Sequence, residues 1–178
     1  VARDGQSLAD IPAYPYPDWA VHSVHLNHPL TPGDFRIPAS GNQTVTAHVI
    51  GIIENQAPNR HLVFQVPVVD GEVHADMSRD LAKIALVERH RGTGEVQVGL
   101  VQGFGFNRPC GIATTVAHDC HQMIVAGTDE KDMALAANTL EQCGGGQVVV
   151  CQGEVIGLVE LPIGGLMSNR PGKNVAVQ

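Results

Sequence analysis

From Thr44 onward the chain is a series of short apolar runs separated by glycine-bearing turns, a pattern that calls for hairpins and a packed sheet. Residues 45–53 alternate well enough for a strand. Residues 61–69 and 72–74 flank Asp70-Gly71, a step that readily supplies the positive φ of a tight hairpin turn. Residues 95–102 form another strand candidate. Residues 112–117 and 123–127 are apolar runs broken by the polar string His118-Asp-Cys-His-Gln122. Residues 147–151 and 154–161, joined by Gln152-Gly153, complete a further hairpin.

Two stretches read as helices. Residues 79–90 fit one, with Ser78 as N-cap and Gly92 beyond its end; Leu81, Ile84 and Ala85 share a face that Leu86 and Val87 widen. The second runs from a cap at Thr128 or Asp129 to about Gln142. Its Met133, Ala136, Ala137 and Leu140 recur at helical spacing, and Gly144-Gly-Gly146 ends it. The expected class is α+β (mixed α/β), with six to eight strands, two main helices and an irregular Pro-rich N-terminal arm.

That arm is residues 1–43. Its six prolines, Pro12, Pro15, Pro17, Pro29, Pro32 and Pro38, leave little room for a long helix, so stretches such as 20–26 are expected to be extended. Residues 1–5 look like the end of a strand and a turn, as if the chain began in mid-architecture. The expected division is an arm or linker at 1–43, leading from a catalytic barrel not contained in the chain, and a domain at 44–178.

The 178 residues are enough for one ordinary domain with a real core. One Trp, two Tyr and four Phe mean that Val, Ile, Leu and Ala must build it. A formal charge of −7 without a basic stripe argues against a nucleic-acid partner. No apolar run approaches the ~20 residues that span a bilayer, so no membrane partner is expected. Cys110, Cys120, Cys143 and Cys151 form no CxxC pair, and no basic-then-apolar leader is visible; reduced thiols in a cytoplasmic protein are the expected state.

The most chemical-looking string is His118-Asp119-Cys120-His121, in a loop between two buried strands. Its imidazoles and carboxylate have the chemistry to bind a metal, orient a substrate or shuttle protons. They can equally cap a polar turn. His90, beside Arg89, could reach the same pocket, whereas Arg89 itself reads as a cation at the negative end of a helix dipole. His22, His25 and His28 are spaced three apart. In a strand such positions face opposite sides, so a metal site there is disfavoured. Gly103-Phe-Gly-Phe106 matches no dinucleotide or phosphate-loop spacing and reads as a bend where strands diverge. Residues 161–168 read as an apolar docking tail.

Several strings in order resemble the C-terminal domain of bacterial adenine deaminases, in the amidohydrolase superfamily. They are Asp34-Phe-Arg-Ile-Pro38, Val87-Glu-Arg-His-Arg-Gly-Thr-Gly94, Gly103-Phe-Gly105, Ala113-Thr-Thr-Val-Ala-His-Asp-Cys-His-Gln122, Ala126-Gly-Thr-Asp-Glu-Lys-Asp-Met-Ala134, Gly144-Gly-Gly146 and Leu161-Pro-Ile-Gly-Gly-Leu-Met-Ser168. The resemblance implies a parent enzyme that hydrolyses adenine to hypoxanthine and ammonia, using divalent metal (manganese or iron) held mainly by a barrel domain. It implies that barrel as a partner in cis or trans, adenine as substrate and a homo-oligomer. It also makes His118, Asp119, His121 and His90 the candidate pocket or metal-proximal residues, facing the barrel's active-site mouth. The family more often has Ser and Asn at the positions of Cys120 and Gln122.

A barrel of eight strand–helix units needs ~250 residues, and neither its His-x-His pair nor the zinc deaminase signature is present. No residue here is therefore assigned as catalytic, and the chain alone is expected not to deaminate adenine. The other reading is a stand-alone binding or oligomerisation module without deaminase activity.

Overall fold

The computed structural model describes residues 2–3, 6–9, 12, 14–41 and 43–177. The turn expected at 1–5 lies partly outside these residues; within them, Ala2–Arg3 (β1) pairs antiparallel with Gln6–Ser7 (β2). Asp18–Val21 form a short helix, α1, and only after it does the chain run without regular structure through residues 22–26. A 3-10 turn at Pro32–Phe35 follows, closed by a Thr31–Asp34 capping box, and then Ile37–Pro38 (β3).

The main sheet begins with Thr44–Gly51 (β4) and Arg60–Pro67 (β5). Glu72–Val73 (β6) leaves β5 through Asp70 and Gly71, both at positive φ as the turn chemistry required, and pairs with β3. The sheet continues with Leu81–Val87 (β7), Val96–Gln102 (β8), Gly111–Thr114 (β9) and Met123–Gly127 (β10). Helix α2 spans Glu130–Cys143. Gly146–Cys151 (β11), Glu154–Glu160 (β12) and a short helix at Gly172–Val175 (α3) complete the order. Eight strands form one sheet in the order β12-β11-β9-β10-β7-β8-β4-β5, antiparallel except where β4 meets β8. The class is α+β, as expected.

Two expectations differ from the structure. Residues 61–69 and 72–74 do not pair as a hairpin: β5 pairs with β4, β6 pairs with β3, and only a Val69–Glu72 bridge joins them. The first long helix is also absent. Residues 79–90 are not a helix and Ser78 is not its cap. Asp76 instead accepts the Ser78 amide to cap a 3-10 turn at Met77–Arg79, Asp80 turns the chain at φ 51°, and β7 begins. The run is apolar on both faces, so periodicity could not separate a helix from a central strand. Partners decided it: β10 and β8 pair with β7 on either side and satisfy its backbone. Its Lys83, 1% exposed, reaches Glu130 at 2.7 Å and the Phe35 carbonyl at 3.0 Å. Among the described residues there is therefore one long helix, not two.

That helix is α2. Asp129 accepts the amides of Lys131 and Asp132 at its start, and Gly144, at φ 82°, closes its end. Met133, Ala136, Ala137 and Leu140 are buried against β9, β10 and β11. The fit depends on Gly111, where an added Cβ would sit 2.5 Å from the Met133 amide nitrogen. Val24, Leu30 and Phe35 from the first 43 residues belong to this same core, while Val49, Val66, Val73, Leu81 and Leu100 form a second cluster under the β4–β5 half.

Candidate functional site

The histidine string lies at the end of the sheet opposite the start of α2, in the connection from β9 to β10. Its root is Thr115, fully buried, whose hydroxyl donates to the Gly165 carbonyl at 2.6 Å and accepts the Gly146 amide at 2.8 Å. Beyond it the chain tightens: the His121 amide reaches the Ala117 carbonyl at 2.7 Å and the Cys120 amide reaches His118 at 3.1 Å. Asp119 and His121 are both left-handed, at φ 73° and 50°. Two non-glycine residues in that region within three positions are a stored strain of the kind that clusters at functional loops.

His118 and Asp119 stand almost fully in solvent, 94% and 91% exposed, with Nε2 and Oδ1 3.5 Å apart. His121 is half-buried instead, and its Nδ1 is shielded from solvent with no hydrogen-bond partner among the described residues. His90 is exposed and comes to 3.4 Å from the Cys120 carbonyl. The structure thus gathers His90, His118, Asp119 and His121 on one loop and its neighbour. It leaves His118, Asp119 and His90 exposed and His121 half-buried.

Arg89 holds the loop in place. Nothing of it is exposed, and its side chain donates to main-chain carbonyls and one hydroxyl: His121 carbonyl at 2.6 Å, Ser23 carbonyl at 3.0 Å, Ser23 hydroxyl at 3.3 Å and Gly164 carbonyl at 3.1 Å. Among the described residues no carboxylate pairs with it, and burial pulls its pKa below the usual arginine value. Its amide donates to the Gln122 side-chain oxygen at 3.0 Å, so Gln122 does hold a hydrogen bond in this loop. Arg89 follows a strand, so the helix-dipole account of it fails; it ties arm, histidine loop and tail together. Glu88 performs the same service one residue earlier. Its carboxylate accepts the amides of His90, Arg91 and Thr93. Burial pushes its pKa up, but the Thr93, Arg91 and His90 amides outweigh that and hold it down at about 2.

The family-model comparison matches residues 56–178 to the adenine deaminase C-terminal domain. The chain belongs to that family. It is 52% identical over its whole length to an adenine deaminase of Moorella thermoacetica, 51% to one of Roseobacter denitrificans, and 50% over 99% of its length to adenine deaminase 3 of Rhizobium meliloti. In each case it spans 30% of the relative.

Within this deaminase C-terminal domain the remaining sequence candidates disperse. His25 donates its amide to the Arg89 carbonyl, His28 approaches Asp34 at 3.5 Å, and the three histidines share no site. Gly103-Phe-Gly-Phe106 is a bend: Gly103 packs on Ile52, the Gly105 amide reaches Asp80, and the two Phe rings stack at 5.3 Å. In the tail, Ile163 is buried in this domain while Met167 is 59% exposed. All four cysteines are free, and burial together with neighbouring Cys151 pushes the Cys110 thiol up to about 11. Among the described residues no three His, Cys, Asp or Glu groups are placed to hold a metal, and no helix is long and apolar enough to cross a membrane.

The sequence reading passed over Lys83 and Asp132 and took Arg89 for a helix-end cation; all three are buried charges. Asp132 accepts the amides of Gln152 and Gly153 at 2.8 and 2.7 Å, pinning the β11–β12 turn to α2. A lysine in the middle of the apolar run 81–87 was the one available signal, since such a cation is buried only with a partner.

Proposed function

We propose that this chain is the C-terminal part of an adenine deaminase of the amidohydrolase superfamily, and that its histidine loop borders the pocket in which adenine is hydrolysed to hypoxanthine and ammonia. The observation that carries the pocket assignment is the clamped, strained loop. Asp119 and His121 hold left-handed backbone, and a buried arginine fixes the His121 carbonyl while His118 and Asp119 project free. His118 and Asp119 present an imidazole–carboxylate pair to the outside from a backbone region that non-glycine residues adopt uncommonly, and this supports a pocket role.

The family implies divalent metal, manganese or iron. The donor set here does not fit one: His118 and Asp119 stand in solvent while His121 is half-buried, and among the described residues no three His, Cys, Asp or Glu groups are placed to hold a metal. The metal is accordingly assigned to the larger part that the relatives carry beyond this length, a barrel in cis. What this domain supplies is a positioned imidazole and carboxylate, able to orient a polar substrate or carry a proton at the mouth. A cytoplasmic location accompanies this reading, supported by the four free thiols.

The test is His118→Ala in the full-length enzyme. A pocket role lowers kcat by ~10²-fold or more with melting unchanged, the scale of losing a positioned acid–base group. Normal turnover per folded molecule, with stability down by about 0.5–2 kcal/mol, refutes the pocket role and leaves a capped turn.

A further inference from the structure

We infer that Cys110 and Cys151 are a reversible redox site, closed to an intrachain disulfide by a small aliphatic disulfide such as oxidised glutathione. Strand register places the two residues. β9 and β11 pair antiparallel with Gly111 opposite Val150, so one step further Cys110 stands opposite Cys151. Opposed residues in such a ladder alternate between hydrogen-bonded and non-hydrogen-bonded pairs. At the far end of this one the Thr115 amide donates to the Gly146 carbonyl at 3.0 Å, which marks a hydrogen-bonded pair. An odd number of steps separates it from Cys110 and Cys151, which are therefore a non-hydrogen-bonded pair. The outer neighbours agree. The Cys110 carbonyl accepts the Thr128 amide at 2.9 Å on the β10 side, and Cys151 pairs with Glu154 of β12 across the Gln152-Gly153 turn. Each cysteine thus turns its backbone away from the other. Residues opposed in this way have Cα atoms ~4.5 Å apart, within the ~4.4–6.8 Å that a disulfide spans. That is the short end of the range, where strain makes the bond easier to reduce again. Burial first, and then a hydrogen bond with the Cys151 side chain, raise the Cys110 thiol to about 11, so the two thiols are already in contact. The other two cysteines are placed differently: Cys120 is exposed in the histidine loop, and Cys143 bonds the Leu140 and Gly145 carbonyls.

The exchange proceeds in two steps. One cysteine loses its proton, and its thiolate attacks a sulfur of the small disulfide, breaking that S–S bond and releasing one thiolate. The other cysteine, deprotonated in turn, attacks the mixed disulfide, forms the Cys110–Cys151 bond and expels the second small thiolate. The two released thiolates take up the two protons. Two protein thiols are oxidised by two electrons, and one small disulfide is reduced to two thiols. The reagent has a way in: Pro109 and Gln152, the residues next to the pair, line a hollow of about 470 Å³ together with Asp129, Lys131 and Asp132. The raised Cys110 pKa keeps thiolate scarce, so the pair stays reduced at rest and answers to sustained oxidation. The turn after Cys151 is held in place, since the Asp132 carboxylate accepts the Gln152 and Gly153 amides. The site lies where α2 starts, while the histidine loop leaves β9 at its other end. Closing the bond therefore leaves that loop alone, and the site does not rest on the deaminase reading.

Incubation of the undenatured chain in glutathione redox buffers tests the inference, with Cys120→Ser removing the exposed thiol. As the oxidised fraction rises, two thiols should be lost together, the mass should fall by about 2 Da, and peptide mapping after alkylation should link residues 110 and 151. Closing the loop should raise the melting temperature by roughly 5–15 °C, and dithiothreitol should reverse both changes. Cys110→Ser and Cys151→Ser, each added to this variant, should abolish the link and the melting shift. Should either serine prevent folding, the peptide map of the unaltered pair decides by itself. Thiols that persist in the fully oxidised buffer overturn the inference. Oxidation that stops at glutathione adducts, or that links either cysteine to Cys143 or to a second chain, overturns it equally.

Discussion

Replacing Arg89 with methionine should cost about 3–5 kcal/mol, far more than an arginine at a strand end would normally merit. The substitution keeps the stem's apolar bulk and removes the guanidinium. The carbonyls of His121, Ser23 and Gly164, each within 3.1 Å of an Arg89 nitrogen, then lose their donor. Three buried acceptors at ~1–3 kcal/mol each set the upper bound. Against this, the variant no longer desolvates a cation that has no carboxylate partner among the described residues, a burden visible in its lowered pKa. Hydrogen bonds to a charged donor contribute ~1.5–3 kcal/mol each, so three of them less the relieved desolvation leave about 3–5 kcal/mol. With an m-value of about 2 kcal/mol/M, the urea midpoint should fall by roughly 2 M at unchanged slope. Arg89→Lys, a single-point donor on the same charge, should recover part of the loss and not all of it. Proteolysis should then cut first in the 118–122 loop and the 161–168 tail, the segments Arg89 holds. A methionine variant within 1 kcal/mol of the parent refutes the clamp.

Three further outcomes follow from the same structure. Glu88 has a pKa depressed from 4.5 to about 2, so its stabilisation is complete above pH 4.5 and lost as pH falls towards 2; Glu88→Gln should flatten the acid limb of a melting-versus-pH curve over that window, and an unchanged limb counts against the turn network. Gly111→Ala drives a Cβ into the first turn of α2 and should cost about 1–3 kcal/mol by thermal melting, with a neutral result showing that the helix can ride up off the sheet. Incubated alone with manganese and adenine, the chain should release no ammonia above buffer, and turnover abolished by a chelator would show that a complete metal site exists here after all.

Local chemistry settled much of this molecule in advance. Asp70-Gly71 and Gln152-Gly153 close their turns because these steps accept positive φ. The 147–161 hairpin stands where the residues placed it, whereas across Asp70-Gly71 only the Val69–Glu72 bridge closes, with β5 paired to β4 and β6 to β3. Asp129 and Gly144 bracket α2 because a side-chain oxygen and a left-handed glycine satisfy the orphan amides and carbonyls of its ends. The ordered strings that carry the family resemblance are likewise a property of the sequence, and the match over residues 56–178 rests on it.

What the sequence did not decide is everything that depends on a partner far along the chain. Residues 81–87 have no preference between helix and strand until β8 and β10 flank them, and then unsatisfied amides make the strand obligatory. Lys83 and Glu130 lie 47 positions apart, and Arg89 meets groups 32, 66 and 75 positions away, so no spacing rule announces them. The direction of His121 against that of His118 and Asp119 is fixed by backbone angles within the loop, which residue type leaves open. Alternation along each strand was legible, but a period of two names two faces without saying which one α2 will cover. Only the packing of Gly111 under the helix assigns that face to the core.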